Sequence, residues 1–536
     1  MHAMPFVITP SSATACDTQP GAAFVVRRPG TRRRAWLAVA ACAVAIGLAG
    51  CAQPPGNPGS DAARDPISLF PMAAYDQDVD HWIPPSAPDY DRPFLSPEQQ
   101  HVHFEALFAR YFGSDPDAPS PWNSSYIERR VYRQGGIDIA DLQRRRISWF
   151  DNRMQNARHI GYGENFRPHT EAWIDAIARN MDLNQFTSGA EYHATQRAIA
   201  ASNLLVRELP TLDPSFYNHR LAGEGYPFDN LQISAVRPGT PLYILGQSRD
   251  GAWRYVQTPD VQGWVSSEQV ALVDPQFVDM WRAAARRALG VVLVAMAPVR
   301  DSQGVFRFGA PAGTLLPLAP SNVGGSEPDQ HQILIPARDL DGHAVIRYAQ
   351  LSDQQLSTAP LSATPRHLAL LLKTLIGRPY GWGNSGLYND CSSELQSIFA
   401  VFGVWLPRHS SSQMSAGSTV DLAAASTTQR LDYLTQHGAP MRTLVYIGGH
   451  VMLYLGNTTR GQQVVPLVYQ DIWGLRPADD SRRAVIGGSV ILPLLAQMPE
   501  DTTLESLAGK SIFQVSIIGN LQDGTTAPPD EDNPAS

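Results

Sequence analysis

The hydrophobic period of this chain changes twice, and the changes divide it before any single residue is considered. Between residues 96 and 208 apolar side chains recur at three- and four-residue spacing, as in EAWIDAIARNMDL and ATQRAIAASNLLVREL, which predicts helices that each bury one face. Ser96 can cap the first, with Pro97 at its first position and Gln99 three residues after the cap; Phe104, Leu107, Phe108 and Tyr111 form its stripe and Gly113 ends it. After Leu209-Pro210-Thr211 the period drops to two. TPLYILGQS, the turn Arg249-Asp250-Gly251, AWRYVQT, a Pro259-Asp260 turn and GWVSSEQVALV predict a small β-barrel over residues 209–275. Residues 276–358 keep the β character, and residues 359–500 return to a mixed pattern. An α+β multidomain chain is expected, and 536 residues, 43 % of them hydrophobic, suffice for several cores.

The N-terminus sets the compartment. Arg27, Arg28, Arg32, Arg33 and Arg34 precede the apolar run AWLAVAACAVAIGLAG, a signal-peptide layout, with an uncleaved anchor helix as the alternative. The run ends at Leu48-Ala49-Gly50-Cys51, which resembles the lipobox of bacterial lipoproteins. That resemblance implies a signal peptide over 1–50, a lipid on Cys51, and a body held at the cell envelope, on the periplasmic side of the outer membrane. Residues 51–95, rich in Pro, Asp, Ser and Gly, are expected to be a linker. Losing residues 1–50 removes five Arg and one Asp and takes the formal charge from −8 to −12, which speaks against nucleic acid as a partner. Of the four cysteines, Cys16 and Cys42 leave with the signal and Cys51 carries lipid, so Cys391 stands alone. A lone thiol in an oxidising compartment is either buried structure or chemistry.

Its neighbours favour chemistry. Leu395, Ile398, Phe399 and Phe402 place a helix directly after Cys391, and Gly403 ends it. A thiol at a helix N-terminus meets unpaired N–H groups and the positive end of the dipole, which favour thiolate and can hold an oxyanion. Asp390 opposes the thiolate unless its charge faces a cation. Of the candidate bases His367, His409, His437 and His450, only His450 begins a convincing strand, and Gln470 or Asp471 on the next strand, VVPLVYQDIWG, could orient it. Cys, His and a polar orienter make a papain-like triad. There is no His-Glu-x-x-His signature, no phosphate-cradling loop and no Cys/His cluster, so no metal or cofactor is implied.

Arg378-Pro379-Tyr380-Gly381-Trp382-Gly383, Asp390-Cys391-Ser392, Leu406-Pro407-Arg408-His409-Ser410 and Gly449-His450, in this order, resemble the NlpC family of papain-like cell-wall peptidases. Gly251, Trp253, Gly263, Trp264 and Val265 resemble the pattern of bacterial SH3-like barrels, with a second, diverged barrel over 276–358. The resemblance implies a papain-like catalytic domain over 359–500, preceded by a helical stabilising domain (96–208) and two SH3-like barrels. It also implies hydrolysis of peptidoglycan stem peptides or muropeptides, between γ-linked D-glutamate and the next diamino acid. Carried over residue by residue, Cys391 is the nucleophile, His450 the base and Gln470 the orienter, where relatives more often have His. Tyr380 lies beside the nucleophile, and Asp390, Ser392 and Ser410 would hold the free amine of the stem's first residue. Asn384 and Ser393 depart from the glycines usual in relatives. A silent peptidoglycan-binding lipoprotein and an acyltransferase using the same Cys–His pair are the alternatives. Residues 501–536 are expected to be an extension with a solvated acidic tail.

Overall fold

The computed structural model describes residues 67–519 apart from 114, 189 and 321–328. The signal segment, Cys51 and the acidic tail lie outside the described residues. The first long helix, Pro97–Phe112, begins as its sequence predicts: Ser96 and Gln99 close a capping box, and Gly113 ends the helix in the left-handed region at φ 59°. Helices Ile137–Phe150 and Glu171–Met181 follow, but the helical region stops earlier than expected. ATQRAIAASNLLVREL is not a helix; it forms strands β2 (Arg197–Ala200) and β3 (Leu204–Arg207) of the first barrel. Both run with nearly every side chain buried, and a fully buried strand carries no alternation by which to tell it from a helix.

The barrel is completed by β4 (Gln232–Val236), β5 (Pro241–Gln247), β6 (Trp253–Gln257), β7 (Gln262–Ser266) and β8 (Val270–Leu272), in the order β4-β3-β7-β6-β5-β2-β8. Trp253, Tyr255 and Trp264 share a core with Ile139, Ile174 and Met181 of the helices. The buried Trp264 Nε1 donates to Gln143 Oε1 at 2.8 Å, so barrel and helices pack as one unit. Helix Pro275–Arg287 leads into the second barrel, built from three small sheets that include β9 (Leu289–Val292), β10 (Met296–Arg300) and β11 (Phe306–Pro311).

The C-terminal domain has one sheet whose middle strands are β17 (Thr443–Tyr446), β18 (Val451–Arg460), β19 (Gln463–Leu475) and β20 (Arg483–Pro493). Two sequence expectations are corrected here. The catalytic domain does not end at residue 500, because β21 (Gln514–Ile517) inserts between β17 and β16 (Ser418–Asp421). The linker does not extend to residue 95 either. Strand β1 (Ile67–Leu69) pairs in parallel with β20, and Phe70, Tyr75, Val79, Ile83, Tyr90 and Leu95 are buried. Apolar side chains spaced among Pro and Asp were enough to seat this arm on the domain, which average composition hid.

Candidate active site

Cys391 starts a helix because the residue before it closes a capping box. The Asp390 carboxylate accepts the Ser393 N–H at 3.0 Å while Ser393 Oγ accepts the Asp390 N–H at 2.9 Å. Helix Cys391–Val401 is buried along its whole length, so the nucleophile candidate is fixed by packing on every side. The backbone N–H of Val451, the residue after His450, acts on the thiol to favour its charged form. His450 is placed by a two-residue turn: the Ile447 N–H donates to His450 O at 3.0 Å across Gly448 and Gly449, at φ 80° and 77°. Two positive φ values define a type I′ turn, which glycine adopts without strain.

His450 Nε2 lies 2.8 Å from Gln470 Oε1. Leu453 pairs with Tyr469, so the next step of the ladder sets Gln470 beside Met452, on the face of the strand that His450 shares. If Nε2–H donates to the amide oxygen, Nδ1 is left as the base toward the thiol; which ring nitrogen carries the proton follows from this bond. Asp471, the other possible orienter, turns to the opposite face. It pairs with Ser489 in the ladder, and its Oδ1 is buried without a hydrogen-bond partner. Burial, then the charges of Glu394 and Asp390, push its carboxyl well above the usual range. Glu394, one turn into the nucleophile helix, accepts from Ser489 Oγ at 2.8 Å and from Tyr469 Oη.

The site's electrostatics differ from the expectation that the helix start favours thiolate. Burial, followed by the Asp390 charge, pushes the Cys391 thiol up to about 12, and the Val451 N–H only partly opposes this. Burial likewise lowers His450 to about 4, against the Gln470 hydrogen bond and Asp390. Desolvation thus penalises both charges and favours a thiol at Cys391 and a neutral imidazole at His450.

The cation facing Asp390 belongs to the chain itself, which removes the reason for expecting a substrate ammonium there. Arg408 Nη2 lies 2.6 Å from Asp390 Oδ2 and Nη1 lies 3.1 Å from Oδ1. Ser392 Oγ donates to Oδ1 at 3.0 Å and accepts from Arg408 Nη1 at 2.7 Å, and the Gly383 N–H donates to Oδ2 at 3.1 Å. Burial pushes the Asp390 carboxyl up, yet the Arg408 charge and these hydrogen bonds outweigh it and hold it below the usual range. Both oxygens are thus occupied. Ser410 is buried two residues beyond Arg408.

Tyr380 stands in an aromatic wall that sequence reasoning missed. Phe228, from the first barrel's 211–231 loop, lies 6.4 Å from the Tyr380 ring and 5.4 Å from both Trp382 and Trp473. Burial above all pushes the Tyr380 hydroxyl well above its ordinary value. Nothing in the local pattern around Phe228 marks it, since it acts only through tertiary contact. Asn384 was noted only as a departure, but it has a structural role. At φ 64° it occupies a left-handed position that Asn tolerates, and its Nδ2 donates to Ser393 Oγ at 2.9 Å.

Comparison with known proteins bears on this geometry. Residues 377–464 match the NlpC/P60 family, residues 214–266 the SH3 domain of SH3b1 type, and residues 274–322 the SH3 domain of SH3b2 type. A solved NlpC/P60 endopeptidase from Photobacterium damselae subsp. piscicida is 26 % identical, with a TM-score of 0.71 over 84 % of this chain and 98 % of that one. An NlpC/P60 family protein from Bacillus cereus ATCC 10987 is 16 % identical over 52 % of this chain and 81 % of that one, with a TM-score of 0.36, too loose a fit to carry argument. No curated protein matches. The chain carries an NlpC/P60 domain of the cysteine peptidase and amidase family, set behind two bacterial SH3 domains.

Proposed function

We propose that this protein is a cysteine endopeptidase that hydrolyses peptidoglycan stem peptides at the γ-D-glutamyl to diamino acid bond. One observation carries the reading: His450 Nε2 lies 2.8 Å from Gln470 Oε1, in the domain whose buried helix starts at the thiol of Cys391. In this mechanism His450 Nδ1 takes the Cys391 proton as the sulfur attacks the scissile carbonyl. The helix-start N–H groups of Cys391 and Ser392 receive the oxyanion. His450 then gives its proton to the leaving amine, the C–N bond breaks, and a thioester remains on Cys391. Water, deprotonated by the same imidazole, releases the acid and restores the thiol. Starting from two neutral partners, the proton moves during attack, and no ion pair needs to pre-exist. Tyr380, Ser392 and Ser410 would line the stem, and Asp390 would act through Arg408 as a positioning residue.

The test is mass spectrometry of defined muropeptides incubated with the protein. Cleavage between D-glutamate and the diamino acid, lost in Cys391→Ala and His450→Ala, is expected; intact peptides with the wild type would overturn the reading. We further propose that Cys51 carries a lipid holding the protein to the outer membrane's periplasmic side. Among the described residues no helix is long and apolar enough to cross a membrane. If that lipid is the anchor, Cys51→Ala shifts the protein from the membrane to the soluble fraction, and an unchanged distribution would refute the anchor.

A further inference from the structure

A buried set of polar side chains beneath the Cys391 helix has no part in the triad. Glu394 stands one turn after Cys391, and residues three apart on a helix share a face. Its Oε1 accepts from Ser489 Oγ at 2.8 Å and from Tyr469 Oη, and its Oε2 accepts from Asn389 Nδ2 at 2.5 Å. Tyr469 lies two residues before Asp471 on β19, and Ser489 of β20 pairs with Asp471 across the ladder. Both therefore flank Asp471 on one face of the sheet. Glu394, Tyr469, Asp471 and Ser489 are each at most 1 % exposed, so water can solvate none of them.

The hydrogen bonds tell the two acids apart. Glu394 receives three donors, an arrangement that suits a carboxylate. Asp471 receives none at Oδ1, and a charge buried without a partner costs far more than a neutral acid. Burial raises both carboxyls. At Glu394 the bonds from Tyr469, Asn389 and Ser489 oppose it, whereas at Asp471 the charges of Glu394 and Asp390 add to it and Arg378 opposes. The segment carrying Arg378 lies along β20, where the Ser489 N–H donates to Arg378 O at 3.1 Å. Tyr380, Cys391 and Tyr469 are the other titratable groups coupled to Asp471, while His450 is bonded to Gln470 on the other face of β19.

We propose that Glu394 and Asp471 form a positioning pair that carries one negative charge between them, with the proton on Asp471, and that loss of this proton in alkali disarranges the nucleophile. Each member adjoins the triad: Glu394 belongs to the helix that begins at Cys391, and Asp471 follows Gln470 on β19. While the proton is present, Tyr469 and Ser489 join the helix to the sheet through Glu394. Hydroxide takes the proton as water and leaves a second carboxylate. Two like charges then share a space closed to solvent, and their repulsion works to part the helix from the strand. An acid that folding keeps neutral loses its contribution as pH rises through its folded value, so the effect falls on the alkaline side. The pair acts through Cys391 and Gln470. Its activity readout rests on the stem-peptidase reading, and its infrared readout does not.

The test reads the proton directly in the full chain. The infrared stretch of protonated carboxyls is followed from mild acid to alkali as the difference between wild type and Asp471→Asn, in which the other acids raised by burial, Glu208 and Asp260, cancel. At neutral pH that difference should contain a protonated-carboxyl band. Glu394→Gln removes the neighbouring charge, so measured against the double variant Asp471 should ionise lower by about one unit or more. The alkaline limb of kcat/KM for defined muropeptides should follow the same midpoints, moving up in Asp471→Asn and down in Glu394→Gln. A merely structural role would lower the rate alike at every pH and leave the limb in place. No protonated Asp471 at neutral pH, or a limb that both variants leave in place or move the same way, would overturn the proposal. Should either variant misfold, an isotope label on the aspartate carboxyls of the wild type takes its place, and absence of any protonated aspartate at neutral pH would equally overturn it. The expected bands in a protein that cleaves no stem would uphold the shared charge and sink the peptidase reading.

Discussion

Replacing Arg408 by methionine keeps the aliphatic stem and removes the guanidinium, leaving the Asp390 carboxylate charged in a site where it is only 7 % exposed and its lost partner was 4 % exposed. Removing one member of a buried pair costs about 3–5 kcal/mol, chiefly because the remaining charge is stranded. Arg408 also donates to Ser234 Oγ at 2.8 Å, a further bond of about 0.5–1.5 kcal/mol. Global unfolding of several domains is not two-state, so the assay should be local. The Ser393 amide, capped by Asp390, reports opening of the helix start by hydrogen exchange. A loss of 3 kcal/mol or more predicts exchange accelerated by roughly a hundredfold or more. Adding Asp390→Asn to Arg408→Met removes the stranded charge and should recover part of that loss. The sign with pH follows from the depressed Asp390 value: the pair's contribution is present above the ordinary carboxylate pKa and is lost as pH falls through the lower folded value. The gap between wild type and Arg408→Met should therefore narrow in acid. Exchange within about threefold of wild type, with no rescue by the second change, would refute the reasoning.

With His450 lowered to about 4, kcat/KM should hold down to mild acid and fall only as the imidazole protonates. Gln470→Glu places a carboxylate on Nε2 and should move that acid limb up by about one unit or more; an unmoved limb would show that Gln470 does not face the ring in solution. Gly448→Ala and Gly449→Ala force a side chain into the left-handed region, each costing about 1–2 kcal/mol by thermal or chemical denaturation. Both should lower activity by disturbing His450, and full stability and activity in both would argue against the type I′ turn. Asn384→Gly and Ser393→Gly share the bond between the two side chains and each also breaks others, so the double variant should lose about 0.5–1.5 kcal/mol less than the sum of the single losses, whereas strict additivity would deny the contact.

Much of the catalytic geometry was legible because it is local. The helix stripe after Cys391 and the strand begun by His450 are each written within a few residues, whereas the Asp390–Ser393 capping box and the Gly448–Gly449 turn emerged only with the structure. The choice between Gln470 and Asp471 was not legible, since adjacent strand residues face opposite sides and the register decides which meets His450. The β2 and β3 segments were misread as helix because full burial removes the period that separates the two. Strand β21 was missed for another reason: four residues near the end of the chain gain their place only from β17 and β16, far away in sequence. The charge balance of the site was half legible. Asp390 visibly needed a cation, and Arg408 stood in the quoted Leu-Pro-Arg run, but only folding shows that the two meet.

The first barrel contributes directly to the frame of the nucleophile and is not merely a neighbouring binding module. Gln232 Nε2 of β4 donates to Gly383 O at 2.9 Å, and the Ala235 N–H donates to Asn384 Oδ1 at 3.3 Å. A side chain at Gly383 would meet Gln232 O at 2.3 Å, so the two backbones approach as closely as only glycine permits. Asn384 passes this contact to Ser393, and Ser393 holds the cap at Asp390. Arg408 runs in parallel, joining Ser234 of the same strand to the Asp390 carboxylate. Two chains of hydrogen bonds, cross-linked where Arg408 Nη2 donates to Asn384 Oδ1 at 3.3 Å, thus connect β4 to the residue before Cys391. Glycine at positions 384 and 393 could not form the first of them. With Asn384 and Ser393 as a bonded pair, the start of the Cys391 helix is tied to the first barrel.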